Sequence, residues 1–375
     1  MLIVRVANFV HATSGGLRTA LRELGRGYLA AGHEAVLIVP GEEAGEEQTP
    51  QGRVITVPGP AVPGLGGYRV LLNRGAVRAV LRRLAPDRIE VHDRSTLRWL
   101  GSWARQNGVR SMMVSHESLD GLLRLFGPGG PVGPWAADRL NARTVTAFDT
   151  VVCTTEWAQR EFLRLGAAPV RVPLGVDLDR FSPASRDAGL RAGLAGTASV
   201  MLLHCGRLSA EKEPGVSLDT LAALRADGLD AVLVVAGDGP LRAELSAEAE
   251  RRGLPARFLG HVRDPRGLLA TADVVLAPGP IETFGLSALE ALASGTPAVV
   301  RSSSALPEVV GPAGVAAGPD GFAGAVRELL ARPADGRRAA ARTQAEGFPW
   351  SAAVAGSHGR PFYRFDTAMG PVRKD

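Results

Sequence analysis

Short apolar runs alternate with longer segments of helical spacing along this chain. Leu2–Ala7 and Glu34–Pro40 are typical of buried strands, and the amphipathic segment of about Leu17–Ala31 predicts a helix that ends at Gly32. Strands that alternate with helices in this way form a parallel sheet with helices packed on its faces. The pattern predicts the α/β class, and it starts again after Val200, which indicates a second unit of the same kind.

The central unit of the second half covers residues 272–300. An apolar strand, Ala272–Ala277, is ended by a Pro-Gly-Pro turn. Leucines at helical spacing follow from Gly285, until Gly295 and Pro297 stop the helix. This order places the loop and the helix N-terminus at the carboxyl end of the strand, where open α/β sheets bind ligands.

Two glutamates, Glu282 and Glu290, bracket that helix N-terminus. Helix N-termini bind phosphate through free amides and a partial positive charge. Carboxylates on either side accept hydrogen bonds from hydroxyl groups. The pattern therefore fits a nucleotide diphosphate sugar, with the ribose at one end and the hexose at the other. From the spacing alone, a loop charge and a solvated helix residue remain the alternative.

The same motif carries a family resemblance. Glu282–Leu286 (ETFGL), followed by Leu289–Ala291 (LEA) and Gly295–Pro297 (GTP), resembles the E-x7-E motif of retaining glycosyltransferases of family 4. Those enzymes have the GT-B architecture, in which two Rossmann-like domains face each other across a cleft. The resemblance extends to about Trp350, and within the family the chain is most similar to actinobacterial GDP-mannose-dependent phosphatidylinositol mannosyltransferases that add a third mannose. The segments that carry this closer likeness are Val6–Phe9, Ser14–Thr19, Ser115–Glu117, Val151–Thr155 and His204–Ser209.

The resemblance implies an acceptor domain over residues 1–175, a donor domain over 176–349 and a C-terminal segment, 350–375, that returns to the first domain. It implies a retaining enzyme that moves mannose from GDP-mannose to a lipid-linked phosphatidylinositol mannoside, with GDP as product and no cofactor. The catalytic residues that it implies are His116, Arg207, Lys212 and Glu282. The donor-binding residues that it implies are Gly15, Gly16, Arg207, Lys212, Val262, Glu282, Phe284, Gly285, Leu286 and Glu290.

The loop after the strand Val200–His204 holds Arg207 and Lys212, whose charged groups can neutralise a leaving diphosphate. A surface ion pair between Lys212 and a neighbouring glutamate is the alternative. We expect no metal site, because Asp177 and Asp179 lie at the domain joint and no ligand cluster is visible. A nicotinamide dehydrogenase is disfavoured by the missing G-x-G-x-x-G motif, and a glycoside hydrolase by the missing carboxylate pair.

His116 falls at the tip of the predicted strand Ser111–Ser115. A lone histidine there is usually structural, but the resemblance implies that it contacts the donor sugar. In the mechanism favoured for the family, the leaving phosphate deprotonates the acceptor while the acceptor attacks from the same side. Catalysis then depends on positioning and electrostatics.

Net charge is +5 and is carried almost entirely by arginine; residues 48–86 hold six arginines and no acid. Within this stretch Tyr68–Leu84 predicts a helix with a basic face, which includes Arg74, Arg78 and Arg82. The loop Pro58–Gly67 ahead of it carries two apolar side chains, those of Val62 and Leu65. A basic helix beside an apolar loop suits an anionic membrane surface. A packed helix with a solvated basic face is the alternative.

No apolar run reaches the length of a membrane span, and the chain begins directly with a strand, without the features of a signal peptide. We expect a cytoplasmic protein that binds peripherally to the inner face of the plasma membrane. Cys153 and Cys205 lie far apart in apolar strands, so we expect two buried thiols. No nucleic-acid-binding motif accompanies the basic charge, and we expect no nucleic-acid partner.

One departure from the family pattern concerns the donor sugar. Many members have two glycines ahead of the segment Leu306–Val310, where this chain has Ser304 and Ala305. Two alternatives therefore stay open. The chain could be a family-4 transferase with another nucleotide-sugar donor or a soluble acceptor, or a non-catalytic GT-B protein that binds a nucleotide sugar.

Overall fold

A computed structural model describes residues 1–10, 15–62, 67–127 and 132–358 of the 375. The described residues form two sheets, one in each half of the chain, with helices on both faces of each sheet. The α/β class predicted from the apolar pattern is confirmed.

The first domain is built on an eight-stranded sheet. Its strands are β1 (Leu2–Val6), β2 (Glu34–Gly41), β3 (Gly45–Thr49), β4 (Gly52–Pro58), β5 (Arg88–Val91), β6 (Arg110–Ser115), β7 (Thr150–Cys153) and β8 (Val170–Arg171). Its helices are α1 (Gly16–Ala30), α2 (Arg74–Leu84), α3 (Trp99–Gln106), α4 (Leu119–Phe126), α5 (Val132–Ala147) and α6 (Glu156–Leu163). The strand order is β3-β4-β2-β1-β5-β6-β7-β8, and only β3 runs antiparallel to its neighbour.

The second domain is built on a six-stranded parallel sheet. Its strands are β9 (Val200–Cys205), β10 (Ala231–Ala236), β11 (Ala256–Gly260), β12 (Val274–Ala277), β13 (Ala298–Arg301) and β14 (Val315–Ala317), in the order β11-β10-β9-β12-β13-β14. The helices that follow the first domain are α7 (Ala188–Ala195), α8 (Gly215–Ala226), α9 (Arg242–Arg251), α10 (Arg266–Thr271), α11 (Leu286–Ala293), α12 (Leu306–Val310), α13 (Phe322–Ala331), α14 (Ala334–Glu346) and α15 (Trp350–His358).

Both sheets bury apolar side chains on their two faces. In the first domain, α2 and α3 pack Leu81 and Leu100 onto one face, whereas Tyr28 of α1 packs with Val354 of α15 on the other. The C-terminal helix therefore lies on the first domain. Burial of this apolar surface supplies most of the stabilisation of such a fold.

Two segments of the chain cross between the domains, and they lie side by side. The amide of Val176 donates to the carbonyl of Phe348 at 2.9 Å, and Val176 also forms a bridge with Pro349. Gly175 is packed against the backbone of Trp350, where a Cβ atom would overlap it. These contacts tie the joint to the segment that leads into α15.

The start of α2 differs from the sequence-based prediction. A helix from Tyr68 was predicted, but α2 begins at Arg74, because the side chain of Asn73 accepts a hydrogen bond from the amide of Ala76 at 3.0 Å and caps the helix. Leu71 is buried ahead of it in non-helical backbone, and its amide donates to Asn8 Oδ1 at 2.8 Å. Apolar spacing could not separate this buried segment from the helix that follows.

Two elements of the first domain gave no clear signal in the sequence. Strand β3 is polar and largely exposed, and helix α4 is a short amphipathic helix capped by Ser118. Strand β3 matters for the charge pattern, because Glu46 pairs with Arg53 and Arg83 at 3.1 and 2.8 Å. Glu46 lies outside the acid-free stretch of residues 48–86 and therefore neutralises part of its positive charge. No helix among the described residues is long and apolar enough to cross a membrane.

Candidate active site

The two domains touch along the carboxyl edges of their sheets. The hydroxyls of Thr154 and Thr155 both donate to the carbonyl of Thr283 at 3.0 Å. Thr283 Oγ1 in turn donates to the carbonyl of His116 at 2.7 Å. The loop between β12 and α11, which holds Glu282, is therefore fastened to the end of β6, which holds His116.

His116 forms a close pair with a second histidine, His92, at the end of the neighbouring strand β5. His92 Nδ1 lies 2.7 Å from His116 Nε2. Burial is the main cause that lowers the pKa of His116 to about 4, and the charge of Arg94 adds to it. Burial likewise holds the pKa of His92 well below its usual value, so both rings are neutral at neutral pH.

Lys212 and Glu282 form an ion pair. Lys212 ends a short turn after β9, and Glu282 lies in the loop before α11. Both side chains are partly exposed, so the pair is open to exchange with a ligand. The glutamates beside Lys212 have other partners: Glu213 pairs with Arg301 at 2.7 Å, and Glu211 accepts from Ser209.

Arg207 reaches across the cleft to the first domain. Its guanidinium group lies 4.9 Å from the ring centroid of Tyr68 and also donates to the Tyr68 hydroxyl. The ring of Phe9 lies beside Tyr68, with centroids 6.4 Å apart. Phe9 has a φ of 57°, an uncommon conformation for a non-glycine residue. Arg207 and Lys212, the two cations predicted to hold a diphosphate, therefore contact Tyr68 and Glu282, which a ligand can replace.

The N-terminus of α11 is open for an anion. No side chain caps it, and Gly285 adopts a φ of 83° at a position where a Cβ atom would overlap Leu306. From the first domain, Gly16 lies beside this helix, where an added Cβ would make an ordinary contact with Leu286 Cδ1 at 3.8 Å. Gly15 is adjacent to Gly16, and Ser14 lies outside the described residues.

Glu290 lies one turn further along α11, in a crevice that is also lined by Thr19, Arg22, Glu23, Asp177, Arg180 and Phe181. Burial raises the pKa of Glu290 to about 7, and the charges of Arg180 and Arg22 oppose that shift. A carboxylate held in this balance can accept hydrogen bonds from a hydroxylated ligand. Its side chain is partly buried rather than fully solvated.

The remaining predicted residues play less direct parts. Phe284 is buried and meets Phe348 in a T-shaped, edge-to-face contact, with centroids 6.0 Å apart, which holds the loop. Val262 is partly buried in the loop after β11 and packs against the same core.

Cys205 is only partly buried, contrary to the expectation of two buried thiols, and Cys153 is buried. The described residues contain no cluster of three metal-ligating side chains.

Several residues of the cleft were not identified from the sequence. His92 could have been found, because it ends a strand beside the strand that leads to His116. Tyr68 was assigned to a helix and gave no signal. Arg22 and Arg180 come from α1 and from the joint, and only the folded chain brings them to Glu290.

Family comparisons agree with this arrangement. The Glycosyl transferase 4-like domain matches residues 15–175, and the family Glycosyl transferases group 1 matches residues 199–332. A curated relative from Mycobacterium tuberculosis H37Ra, named GDP-mannose-dependent alpha-(1-6)-phosphatidylinositol dimannoside mannosyltransferase, is 50% identical over 363 residues, which cover 95% of this chain and 94% of the relative. This chain belongs to the group 1 glycosyltransferases.

A more distant relative and two solved structures are similar over most of this chain, and the solved structures show the fold. The glycosyltransferase is 29% identical, over 78% of its length and 77% of the relative's, to a GDP-mannose-dependent alpha-mannosyltransferase of Mycolicibacterium smegmatis. It is similar in structure to sucrose-phosphate synthase from Thermosynechococcus elongatus, with a TM-score of 0.75, 22% identity and coverage of 95% and 97% of the two chains. WaaG, a glycosyltransferase of lipopolysaccharide biosynthesis, gives a TM-score of 0.70 at 18% identity, over 94% of this chain and 98% of WaaG. The fold is GT-B.

Proposed function

We propose that this glycosyltransferase transfers mannose, with retention of configuration, from GDP-mannose to a phosphatidylinositol dimannoside. The observation that carries the proposal is the 50% identity, over 95% of the chain, to a relative whose name states that donor and acceptor. The geometry of the cleft supports it, because the cleft offers groups for each part of a nucleotide diphosphate sugar.

Four features of the second domain bind the different parts of the donor. Glu290 accepts hydrogen bonds from the ribose hydroxyls, and the free amides at the N-terminus of α11 hold phosphate oxygens. Arg207 and Lys212 turn from their present partners, Tyr68 and Glu282, to the diphosphate. Glu282 is then free to accept hydrogen bonds from hydroxyls of the mannose.

Retention follows if the leaving phosphate accepts the proton of the acceptor hydroxyl on the face where that hydroxyl attacks. The two cations stabilise the charge that develops on the diphosphate, so the proposal includes no metal and no cofactor. His116 contacts the sugar from the first domain. Closure of the cleft through the Thr283 contacts positions these groups together.

The test is release of GDP and formation of a mannosylated lipid by the purified chain with GDP-mannose and phosphatidylinositol dimannoside in mixed micelles. Lys212→Ala should abolish most of the activity. Arg251→Ala is the matched control, because Arg251 is an exposed arginine of α9 that pairs with Glu248. Turnover with UDP-sugars but not with GDP-mannose, or transfer only to soluble acceptors, would move the assignment to another family-4 activity.

A non-catalytic role as a nucleotide-sugar-binding protein predicts a different outcome. Such a protein would bind GDP or GDP-mannose without turnover, whatever acceptor is supplied. The combined presence of His116, Arg207, Lys212, Glu282 and Glu290 in one cleft favours catalysis over that alternative.

We also propose that the enzyme reaches its acceptor by binding an anionic membrane surface, at the inner face of the plasma membrane. Within the described ranges, no acidic side chain pairs with Arg74, Arg78 or Arg82, whereas Arg69 pairs with Glu42. Arg74 and Arg78 lie over the ring of Trp99, at 5.7 and 5.2 Å from its centroid. These arginines present positive charge beside α3. Val62 is partly buried, and Leu65 lies outside the described residues.

Helices α4 and α5 add exposed apolar side chains near the cleft. Leu125, Val132 and Trp135 are 39%, 50% and 64% exposed. Gly121 of α4 lies so close to Ile281 of the second domain that a Cβ atom would overlap it, so the first turn of α4 borders the second domain. Arg139 lies over the ring of Trp135, 5.8 Å from its centroid. A tryptophan with a basic neighbour suits the membrane interface, where a lipid acceptor keeps its tails.

Vesicle co-sedimentation tests the membrane proposal. Replacing Arg74, Arg78 and Arg82 with serine should weaken binding to anionic vesicles and reduce its salt dependence, with GDP binding unchanged. Trp135→Ser should weaken binding further. Leu163→Ser is the matched control, because Leu163 is an apolar residue of α6 that is 53% exposed. Equal binding by all variants would show that neither surface contacts the membrane.

A further inference from the structure

The histidine pair has a geometry that restricts where its protons can be. The ring planes of His92 and His116 make an angle of 21°, and the ring centroids lie 5.0 Å apart. Together with the short distance between the two facing nitrogens, this separation means that the rings meet edge to edge. With 2.7 Å between His92 Nδ1 and His116 Nε2, one nitrogen must donate and the other must accept. Because both rings are neutral, each has a single N–H to place.

The surroundings of His92 decide which nitrogen donates. Its Nε2 is buried and has no hydrogen-bond partner among the described residues. The carboxylate of Glu90 lies near Nε2, with Oε2 at 4.0 Å, and the charge of Arg5 also acts on the ring. Glu90 is itself held by the Tyr28 hydroxyl, at 2.9 and 3.0 Å, and by Arg88.

A proton on His92 Nε2 points toward this carboxylate, whereas a lone pair there would face the carboxylate oxygens and be repelled. His92 Nδ1 is then the acceptor, and His116 Nε2 is the donor. His116 is consequently left with an unprotonated Nδ1. No described residue hydrogen-bonds to that nitrogen, and the histidine is only partly buried, beside the loop of Glu282.

We infer that His92 is a positioning residue, which holds His116 with its proton on Nε2 and so presents His116 Nδ1 to the cleft as a hydrogen-bond acceptor. Its natural partner is a hydroxyl group of the bound sugar, and this part rests on the proposed function. An acceptor here selects a free hydroxyl over a methyl ether or a deoxy position. The opposite tautomer would present a donor and would accept the ether.

A matched pair of variants separates the hydrogen bond from the packing. His92→Asn keeps an acceptor oxygen close to the place of Nδ1, whereas His92→Leu has the same shape as asparagine and no acceptor. ¹⁵N NMR of histidine-labelled protein reports the tautomer directly, with the His116 signals assigned from their loss in His116→Gln. Thermal unfolding of both His92 variants serves as the control for the fold.

We expect His116 to be protonated on Nε2 in the wild type and in His92→Asn, and to become a mixture of tautomers in His92→Leu. The kcat for sugar transfer should fall about tenfold further in His92→Leu than in His92→Asn, as loss of one oriented hydrogen bond would produce. Protonation of wild-type His116 on Nδ1, or an unchanged tautomer in His92→Leu, would overturn the inference. The wild-type spectrum, assigned with His116→Gln, decides the proton position even if the mannosyl activity fails or a His92 variant does not fold.

Discussion

Glu290 should make donor binding depend on pH near neutrality. Its carboxyl group has a pKa of about 7 in the structure, raised mainly by burial. The ionised form accepts charge-assisted hydrogen bonds from both ribose hydroxyls, whereas the protonated form is a much weaker acceptor and has its own O–H to place. About one tenth of the sites are ionised at pH 6 and about nine tenths at pH 8. The affinity for GDP should therefore rise about tenfold between pH 6 and pH 8, which is the direction expected when binding requires the deprotonated form of an acid.

The assay is isothermal titration of GDP at a series of pH values, with Glu290→Gln as the comparison. A second titration is present, because the terminal phosphate of GDP also ionises near pH 6. The Gln variant keeps that phosphate contribution and loses the one from Glu290, so the difference between the two profiles isolates the carboxyl group. At pH 8 the variant should bind about tenfold more weakly, because a hydrogen bond to a charged group is lost.

Two results would refute this reasoning. If the wild type and Glu290→Gln gave parallel pH profiles, Glu290 would not titrate in the range that its burial sets. If Glu290→Gln bound GDP normally at pH 8, the crevice of Arg22 and Arg180 would not be the ribose site.

Three further predictions concern the diphosphate, the metal and the fold. Arg207→Ala and Lys212→Ala should each lower turnover by about 10²-fold with the fold intact; near-normal turnover in both would place the diphosphate elsewhere. Activity should persist in excess chelator, and loss that magnesium or manganese restores would contradict this. Glu90→Gln should lower the free energy of unfolding by about 3–5 kcal/mol in urea titrations, because it leaves the charge of Arg88 buried without its ionic partner. The side chains of Glu90 and Arg88 are 0% and 2% exposed. A loss below about 1 kcal/mol would show that solvent reaches this pair.

Local patterns determined the fold class. Apolar runs and helical spacing are properties of neighbouring residues, and they indicated two α/β units in succession. The same patterns failed where local signals were weak or ambiguous. Strand β3 is polar on both faces, and the buried segment before Asn73 has spacing that also fits a helix.

The tertiary structure alone decided how the candidate site is assembled. The sequence indicated Arg207, Lys212 and Glu282 as residue types with suitable chemistry. It could not show that Arg207 meets Tyr68, 139 positions away, or that Lys212 meets Glu282, 70 positions away. The histidine pair joins residues 24 positions apart through two neighbouring parallel strands. Such contacts depend on strand order and on closure of the two domains, and residue spacing along the chain carries no information about either.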